Sequence, residues 1–300
     1  MKNSIGRSNE KRRNTLKNVC RVALCCVVIA ACFAGLKAQS GKITAKDQKA
    51  AEVMTAAIKA LGGEKNIDNV KSLILTGSIK SPAGKSPTDD FSQEVELRIL
   101  FPDNFLWITT RNIPAVNMKI TSYLGVADGE FINASFGGPG VTMVTSAGYD
   151  QANDVNRIAC LLMGALFKPL SAATHTFSSL PNTPDRFSIA TDNGTLCEME
   201  LDPKEKYPLL IGYKDLRMVS AQKPPPDAPK SDAKTTVLMG SMMKSEAVDA
   251  VMRFKDRVAA DGVMFPKTIV VEVGKSVTEY QFDKIQINPK LTLKDFELPK

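Results

Sequence analysis

Few residues in this 300-residue chain are of types that carry chemistry, and their spacing restricts what they can do. His175 is the single histidine, flanked by Thr174 and Thr176, with no nearby motif supplying the positioned partner that a general base needs. It reads as a surface or internally satisfied residue. Of six cysteines, Cys20, Cys25, Cys26 and Cys32 crowd into the first 38 residues, leaving Cys160 and Cys197 for the remainder. One His and two distant thiols do not assemble the usual four-ligand or three-ligand-plus-water zinc site. The two thiols have two readings, a disulfide in an oxidising compartment or two separate buried groups, because sequence spacing carries no distance. No G-x-S-x-G elbow presents a serine nucleophile. Asp89-Asp90 are the adjacent acids from which a carboxylate-dependent hydrolase would have to be built, and loop carboxylates are ordinarily just solvated. The expectation is a protein with no catalytic residue, no metal and no cofactor.

The charge balance points the same way. The chain carries a net charge of +7, which would suit nucleic acid, but the excess lies in the first 38 residues, where Lys2, Arg7, Lys11, Arg12, Arg13, Lys17, Arg21 and Lys37 face Glu10 alone. The remainder is neutral, so no nucleic-acid partner is expected. The basic stretch leads into an apolar run from Val22 to Leu36 and then Ala38-Gln39-Ser40, the build of a secretory signal peptide. Two further readings stay open: lipidation at Cys32 after the lipobox-like Ile29-Ala30-Ala31, and a retained anchor, which is short against the roughly 20 residues a spanning helix needs. The division expected is a signal peptide over 1–38 and one domain over 39–300.

Hydropathy patterning outlines the elements that must position any site. Apolar residues at Ala50, Val53, Ala57, Ile58 and Leu61, stopped by Gly62-Gly63, predict a helix between Ala45 and Leu61. Strands are predicted at Ser72–Ile79, Phe91–Ile99, Phe105–Thr110, Met118–Val126, Glu130–Ser135, Phe187–Ala190 and Thr195–Leu201. Hairpin turns at Asp128-Gly129, Asp192-Asn193-Gly194, Asp261-Gly262 and Gly274-Lys275 make the pairing an antiparallel meander. In the last strand Tyr280 and Phe282 share one parity and Ile285 and Ile287 the other, which predicts a bulge near Asp283-Lys284. A second helix is predicted over Asn153–Phe167, and its stretch from Ile158 to Phe167 is apolar all round. It is either a lid or a plain buried helix. A Pro-rich loop is expected at 222–234, followed by a Met-rich patch through Met243 that is either an edge strand or a soft contact surface.

Three groups of residues carry a resemblance. Phe101-Pro102-Asp103-Asn104-Phe105-Leu106-Trp107 is followed by Asp128-Gly129-Glu130-Phe131, and the C-terminal run holds Asp261-Gly262, Pro266, Asn288-Pro289 and Phe296-Glu297-Leu298-Pro299. With the leader and the inserted apolar helix, this pattern resembles the periplasmic lipoprotein carrier and outer-membrane lipoprotein acceptor family, the LolA/LolB-like fold. One position departs: where the carriers place an Arg before the Pro to hold a helical lid, this chain has Phe101, with Arg98 three residues earlier.

The resemblance implies a mainly β (α+β) fold, a curved antiparallel sheet forming an incomplete β-barrel with an N-terminal helix and an apolar lid helix. It implies a non-enzymatic carrier or acceptor of acylated or lipidic cargo, with lipoproteins or envelope proteins as partners. Such a protein would be a monomer in the periplasm or at the periplasmic face of the outer membrane. The cavity residues it implies are Leu97, Ile99, Phe101, Phe105 and Trp107 on strands, and Ile158, Leu162 and Leu166 on the lid; each could equally be a core residue. Two further classes stand beside it, an envelope assembly factor with a filled cavity, which the Phe101 departure favours, and the carboxylate-dependent hydrolase.

Overall fold

The computed structural model describes residues 41–80, 93–114, 117–137, 142–143, 151–220 and 243–299. The leader, Asp89-Asp90, the 222–234 loop and the Met-rich patch up to Met242 lie outside them. The chain begins with β1 (Ile43–Ala45), α1 (Gln48–Ala60) and α2 (Glu64–Asp68). There follow β2 (Ser72–Lys80), β3 (Gln93–Leu100), β4 (Asn104–Ile113), β5 (Met118–Ala127), β6 (Glu130–Gly137) and β7 (Thr142–Met143). After α3 (Gln151–Leu166) come β8 (His175–Ser179), β9 (Arg186–Thr191), β10 (Gly194–Leu201), β11 (Pro208–Ser220), β12 (Met243–Ala260), β13 (Val263–Val273) and β14 (Ser276–Ile287).

The described strands form one sheet in the order β1-β8-β9-β10-β11-β12-β13-β14-β2-β3-β4-β5-β6-β7. It consists of two antiparallel meanders, β2–β7 and β8–β14, joined by the antiparallel pair β14–β2, with β1 added parallel to β8. The short Asp-Gly, Asn-Gly and Gly-Lys links dictate this arrangement, since a two-residue link returns the chain beside itself. The expected bulge is present: pairing of β14 with β2 slips between Phe282 and Lys284, which lets both Phe282 and Ile285 face the core.

Helix α3 shows that the sheet is curved. It packs against β5 as well as against β10 to β13, and four strands, β14, β2, β3 and β4, lie between those two contacts in the sheet. Only a sheet curled around the helix can touch it from both sides. Among the described residues no ladder joins β1 to β7, so the barrel is open. Inward-facing Leu73, Leu97, Ile99, Phe177, Phe187 and Ile211 form with α3 one continuous apolar core.

Helix α1 starts three residues later than the sequence pattern suggests, because Ile43–Ala45 is drawn into the sheet beside β8. Asp47 ends that strand and caps the helix, its Oδ1 accepting from the Ala50 N–H at 2.8 Å and its Oδ2 from the Ser179 N–H at 3.0 Å. Gly62 stops the helix at φ 119°, where a Cβ would lie 2.2 Å from the Gly262 carbonyl oxygen. No helix among the described residues is long and apolar enough to cross a membrane.

Candidate functional site

Helix α3 is enclosed as its sequence requires. Every residue from Ile158 to Leu170 is buried, which fits a segment that is apolar on all faces and must be covered on all of them. Gly164 lets it sit close to the sheet, since a Cβ there would lie 2.1 Å from the Phe254 ring. The helix ends at Phe167, which takes φ 52° and whose N–H donates to the Met163 carbonyl.

Polar side chains hold α3 at both ends. Near its start, Arg157 donates from Nε and Nη2 to the two carboxylate oxygens of Asp215 on β11, at 3.1 and 2.8 Å. Asn153 Nδ2, the Tyr213 hydroxyl and the Leu216 N–H also donate to Asp215, and Arg157 Nη1 lies 3.3 Å from Asp154. Asp215 is fully buried. Burial pushes its carboxyl up, but the Arg157 guanidinium and these donors outweigh that and hold it below the ordinary carboxylate range. Arg157 is held above its ordinary value: burial opposes its charge, and Asp215 more than compensates.

At the far end Arg257 on β12 grips the helix terminus. Its Nη2 donates to the carbonyls of Pro208 at 2.7 Å and Gly164 at 3.2 Å, its Nη1 to those of Ala165 and Met264 at 3.5 Å, and its guanidinium lies 5.1 Å from the Tyr207 ring centre. Burial pushes it down to about 10, so it stays charged at neutral pH, where a cation suits the unsatisfied carbonyls of a helix C-terminus. Beyond the helix, Lys168 Nζ donates to the Ile67 carbonyl at 3.0 Å and lies 5.2 Å from the centre of the Phe101 ring. The Asp103 N–H donates to the Leu170 carbonyl at 2.7 Å. Phe101 therefore anchors the segment after α3 as the aromatic partner of a lysine. Arg98 takes no part: it pairs with Glu96 and donates to the Asp295 carbonyl.

Between α3 and the sheet lies a mostly apolar cavity of about 60 Å³. Trp107, Leu124, Met252, Val271 and Tyr280 line it from the strands, and Asp154, Arg157, Ile158 and Leu161 from the helix. It has room for a few water-sized molecules and not for an acyl chain. Of the expected cavity residues, the structure brings Trp107 and Ile158 to this wall. Leu97, Ile99, Phe105, Leu162 and Leu166 lie in the surrounding core with no exposed surface, and Phe101 packs on the core's margin beneath Lys168. Sequence reading missed Asp215, Arg157 and Arg257. For Asp215 a signal existed: Ile211, Tyr213 and Asp215 share one parity on β11, and a carboxylate on the buried parity must be paired. For Arg257 none did, because it follows Asp256, which takes φ 53° within the strand.

The other chemistry-bearing residues of the sequence reading that are among the described residues, His175 and the two cysteines, are buried. His175 is buried on β8, with Nδ1 3.0 Å from the Ala173 carbonyl oxygen, and burial pushes its pKa down. Cys160 and Cys197 are both buried and are not bonded to each other.

No family model and no curated protein matches the sequence. Among solved structures, a LolA superfamily protein from Nitrosomonas europaea is similar at 12% identity and a TM-score of 0.42, over 81% of this chain and 97% of that one. A DUF1329 family protein from Desulfovibrio piger is similar at 10% identity and a TM-score of 0.44, over 84% of this chain and 98% of that one. The open, curved sheet around an apolar helix is the incomplete barrel that the sequence reading expected, and it stands on this chain's own strand order and helix packing.

Proposed function

We propose that this chain is an exported, non-enzymatic carrier or acceptor of acylated or otherwise hydrophobic cargo. It works as a monomer in the periplasm or at the periplasmic face of the outer membrane, its leader over 1–38 removed as a signal peptide. The observation that carries the reading is α3 itself: an apolar helix lying inside an open sheet, tied at its ends by Arg157–Asp215 and Arg257. Cargo enters the concave face when α3 withdraws. Leu97, Ile99, Phe105 and Trp107 then line the groove with Phe101 at its margin, and Ile158, Leu162 and Leu166 close over it.

Energetics restrict the cargo. Withdrawing Ile158, Leu161, Leu162, Met163 and Leu166 exposes five large side chains, at about 1.5–3 kcal/mol each, or roughly 8–15 kcal/mol together. An acyl chain of about 16 carbons regains a comparable amount, at ~0.8 kcal/mol per CH₂. Short chains therefore do not open the protein and long or multiple chains do.

The test uses Trp107, the chain's single tryptophan, which lines the cavity. Saturable shifts of its emission by long-chain fatty acids or a lipopeptide, falling steeply as the chain shortens, are the expected result. Emission that ignores every acyl ligand, with no lipid found by mass spectrometry in protein purified gently from its own envelope, would overturn the reading. The small cavity favours one second reading, an envelope assembly factor whose interior is filled, and that outcome would select it. N-terminal sequencing that begins near Gln39 supports cleavage of the leader, and an acylated Cys32 would place the protein among lipoproteins.

A further inference from the structure

The fold brings Cys160 and Cys197 together from 37 positions apart in sequence. Cys160 lies at the middle of α3 and Cys197 on β10, the neighbour of the strand that holds Asp215. The Cys160 thiol lies 3.8 Å from the carbonyl oxygen of Leu196, the residue next to Cys197, and neither cysteine exposes more than 1% of its surface. Both belong to the continuous core, and the buried Asp215 carboxylate is near enough to Cys160 to oppose its ionisation. They are the two cysteines outside the first 38 residues, so nothing else in the body of the protein competes to pair with either.

We infer that Cys160 and Cys197 form a reversible disulfide that pins α3 to β10 and so locks the concave face shut. This rests on the carrier reading for what the lock controls, but the bond itself does not. The oxidant is a disulfide of a small molecule or of a thiol oxidoreductase. One cysteine thiolate attacks it to give a mixed disulfide and release one thiol. The second cysteine then attacks the mixed disulfide, forming the Cys160–Cys197 bond and releasing the second thiol. Two protein thiols and one external disulfide thus become one protein disulfide and two external thiols.

The burial of the pair decides when this happens. With α3 seated, no oxidant reaches either sulfur, and desolvation, with the neighbouring Cys197 thiol adding to it, holds Cys160 protonated well above its ordinary range. Exchange proceeds while α3 is displaced, during folding after export or in the open state. The closed, reduced protein is protected, and once the bond has formed it is protected from reductant in the same way.

The experiment treats the full-length chain with oxidised glutathione, with and without a long-chain fatty acid present. Trypsin cleavage after Arg157 and Arg186 places Cys160 and Cys197 on different peptides, so a bond between them is read by mass spectrometry independently of the leader cysteines. The expected result is slow formation of the Cys160–Cys197 linked peptide in the closed protein, acceleration by the fatty acid, and loss of the Trp107 acyl response once it is complete. Dithiothreitol in the presence of a low concentration of denaturant restores the response, and Cys197→Ala keeps it under oxidation. If the linked peptide never forms, even on refolding under oxidising conditions, the inference fails while the Trp107 titration of reduced protein still judges the carrier reading. If it forms and the acyl response persists, the lock is overturned and the carrier reading stands. If reduced protein shows no acyl response, the carrier reading fails, and a rise in melting temperature on oxidation still reports the staple.

Discussion

Trp107 on β4 and Tyr280 on β14 meet edge to face, their ring centres 5.1 Å apart and their planes at 89°, although β2 and β3 lie between their strands. Three strand spacings in a flat sheet are about 14 Å. The contact therefore reports the curl of the sheet at the place where the cavity opens. Tyr280 is partly buried, so Tyr280→Ala is expected to lower stability by about 1–3 kcal/mol, less than truncation of a fully buried aromatic, and to move Trp107 emission toward longer wavelengths. Tyr280→Phe should leave both nearly unchanged, and equal behaviour of the two variants in denaturant titrations would show that the ring contact does not hold the curl.

The Arg157–Asp215 pair ties α3 to β11, and removing one partner strands the other. Arg157→Met leaves a fully buried carboxylate without its cation and should cost about 3 kcal/mol. The double variant Arg157→Met/Asp215→Leu should recover part of that loss, because an apolar pair needs no charge compensation. A double-mutant cycle measured by urea unfolding checks this; additive losses would mean the pair does not act as a unit.

Stability should fall on the acid side. Asp47 is held low by the Ala50 and Ser179 N–H groups, Asp202 by those of Glu205 and Lys204, Asp295 by Thr292, and Asp215 by Arg157 against its own burial. Each depressed carboxyl contributes stability that is fully present above its unfolded value, near 3.9, and is lost as pH falls through the folded one. Asp103, which burial pushes up, has the opposite sign and offsets a small part. The melting temperature should begin to decline below about pH 6.5, where the unfolded chain protonates His175 and the buried ring resists it, and should fall further below about pH 4; Asp215→Asn should lower it at neutral pH while making the lower, carboxylate part of the fall shallower.

Gly164 brings α3 close to the sheet, with the Phe254 ring in the place a Cβ would take. Gly164→Ala must push the helix or the ring aside and should cost about 1–3 kcal/mol despite the better helix propensity of alanine. In the carrier reading the same change loosens α3, so the acyl response of Trp107 should appear at shorter chain lengths than in the wild type. An unchanged melting temperature would place the helix farther from β12 than the structure does.

Arg257 satisfies carbonyls of α3, β11 and β13 with one planar fork. Lysine offers a point charge and cannot reach them together, so Arg257→Lys should lose most of the stability lost in Arg257→Ala. Thermal unfolding of the two variants side by side tests this, and full rescue by lysine would reduce the role of Arg257 to its charge.

The sequence by itself determined the pieces that depend on neighbours along the chain. Short turns such as Asp128-Gly129 and Asp192-Asn193-Gly194 specified antiparallel hairpins, the parity switch between Phe282 and Ile285 specified the bulge, and the apolarity of Ile158–Phe167 specified a helix covered on more than one side. Each is a local rule of backbone geometry or burial. Tertiary structure alone decided that Ile43–Ala45 forms a strand beside β8, taking Ala45 from the expected helix, because a short strand is stabilised by a partner some 130 residues away. It also decided which of the expected cavity residues meet. Leu97, Ile99, Phe105 and Trp107 share one inward face by register, but the curl of the sheet brings only Trp107 of these to the cavity beneath Ile158. The ties that hold α3, from Asp215, Arg257 and Lys168, join residues tens of positions apart, and no local pattern encodes a distance between them.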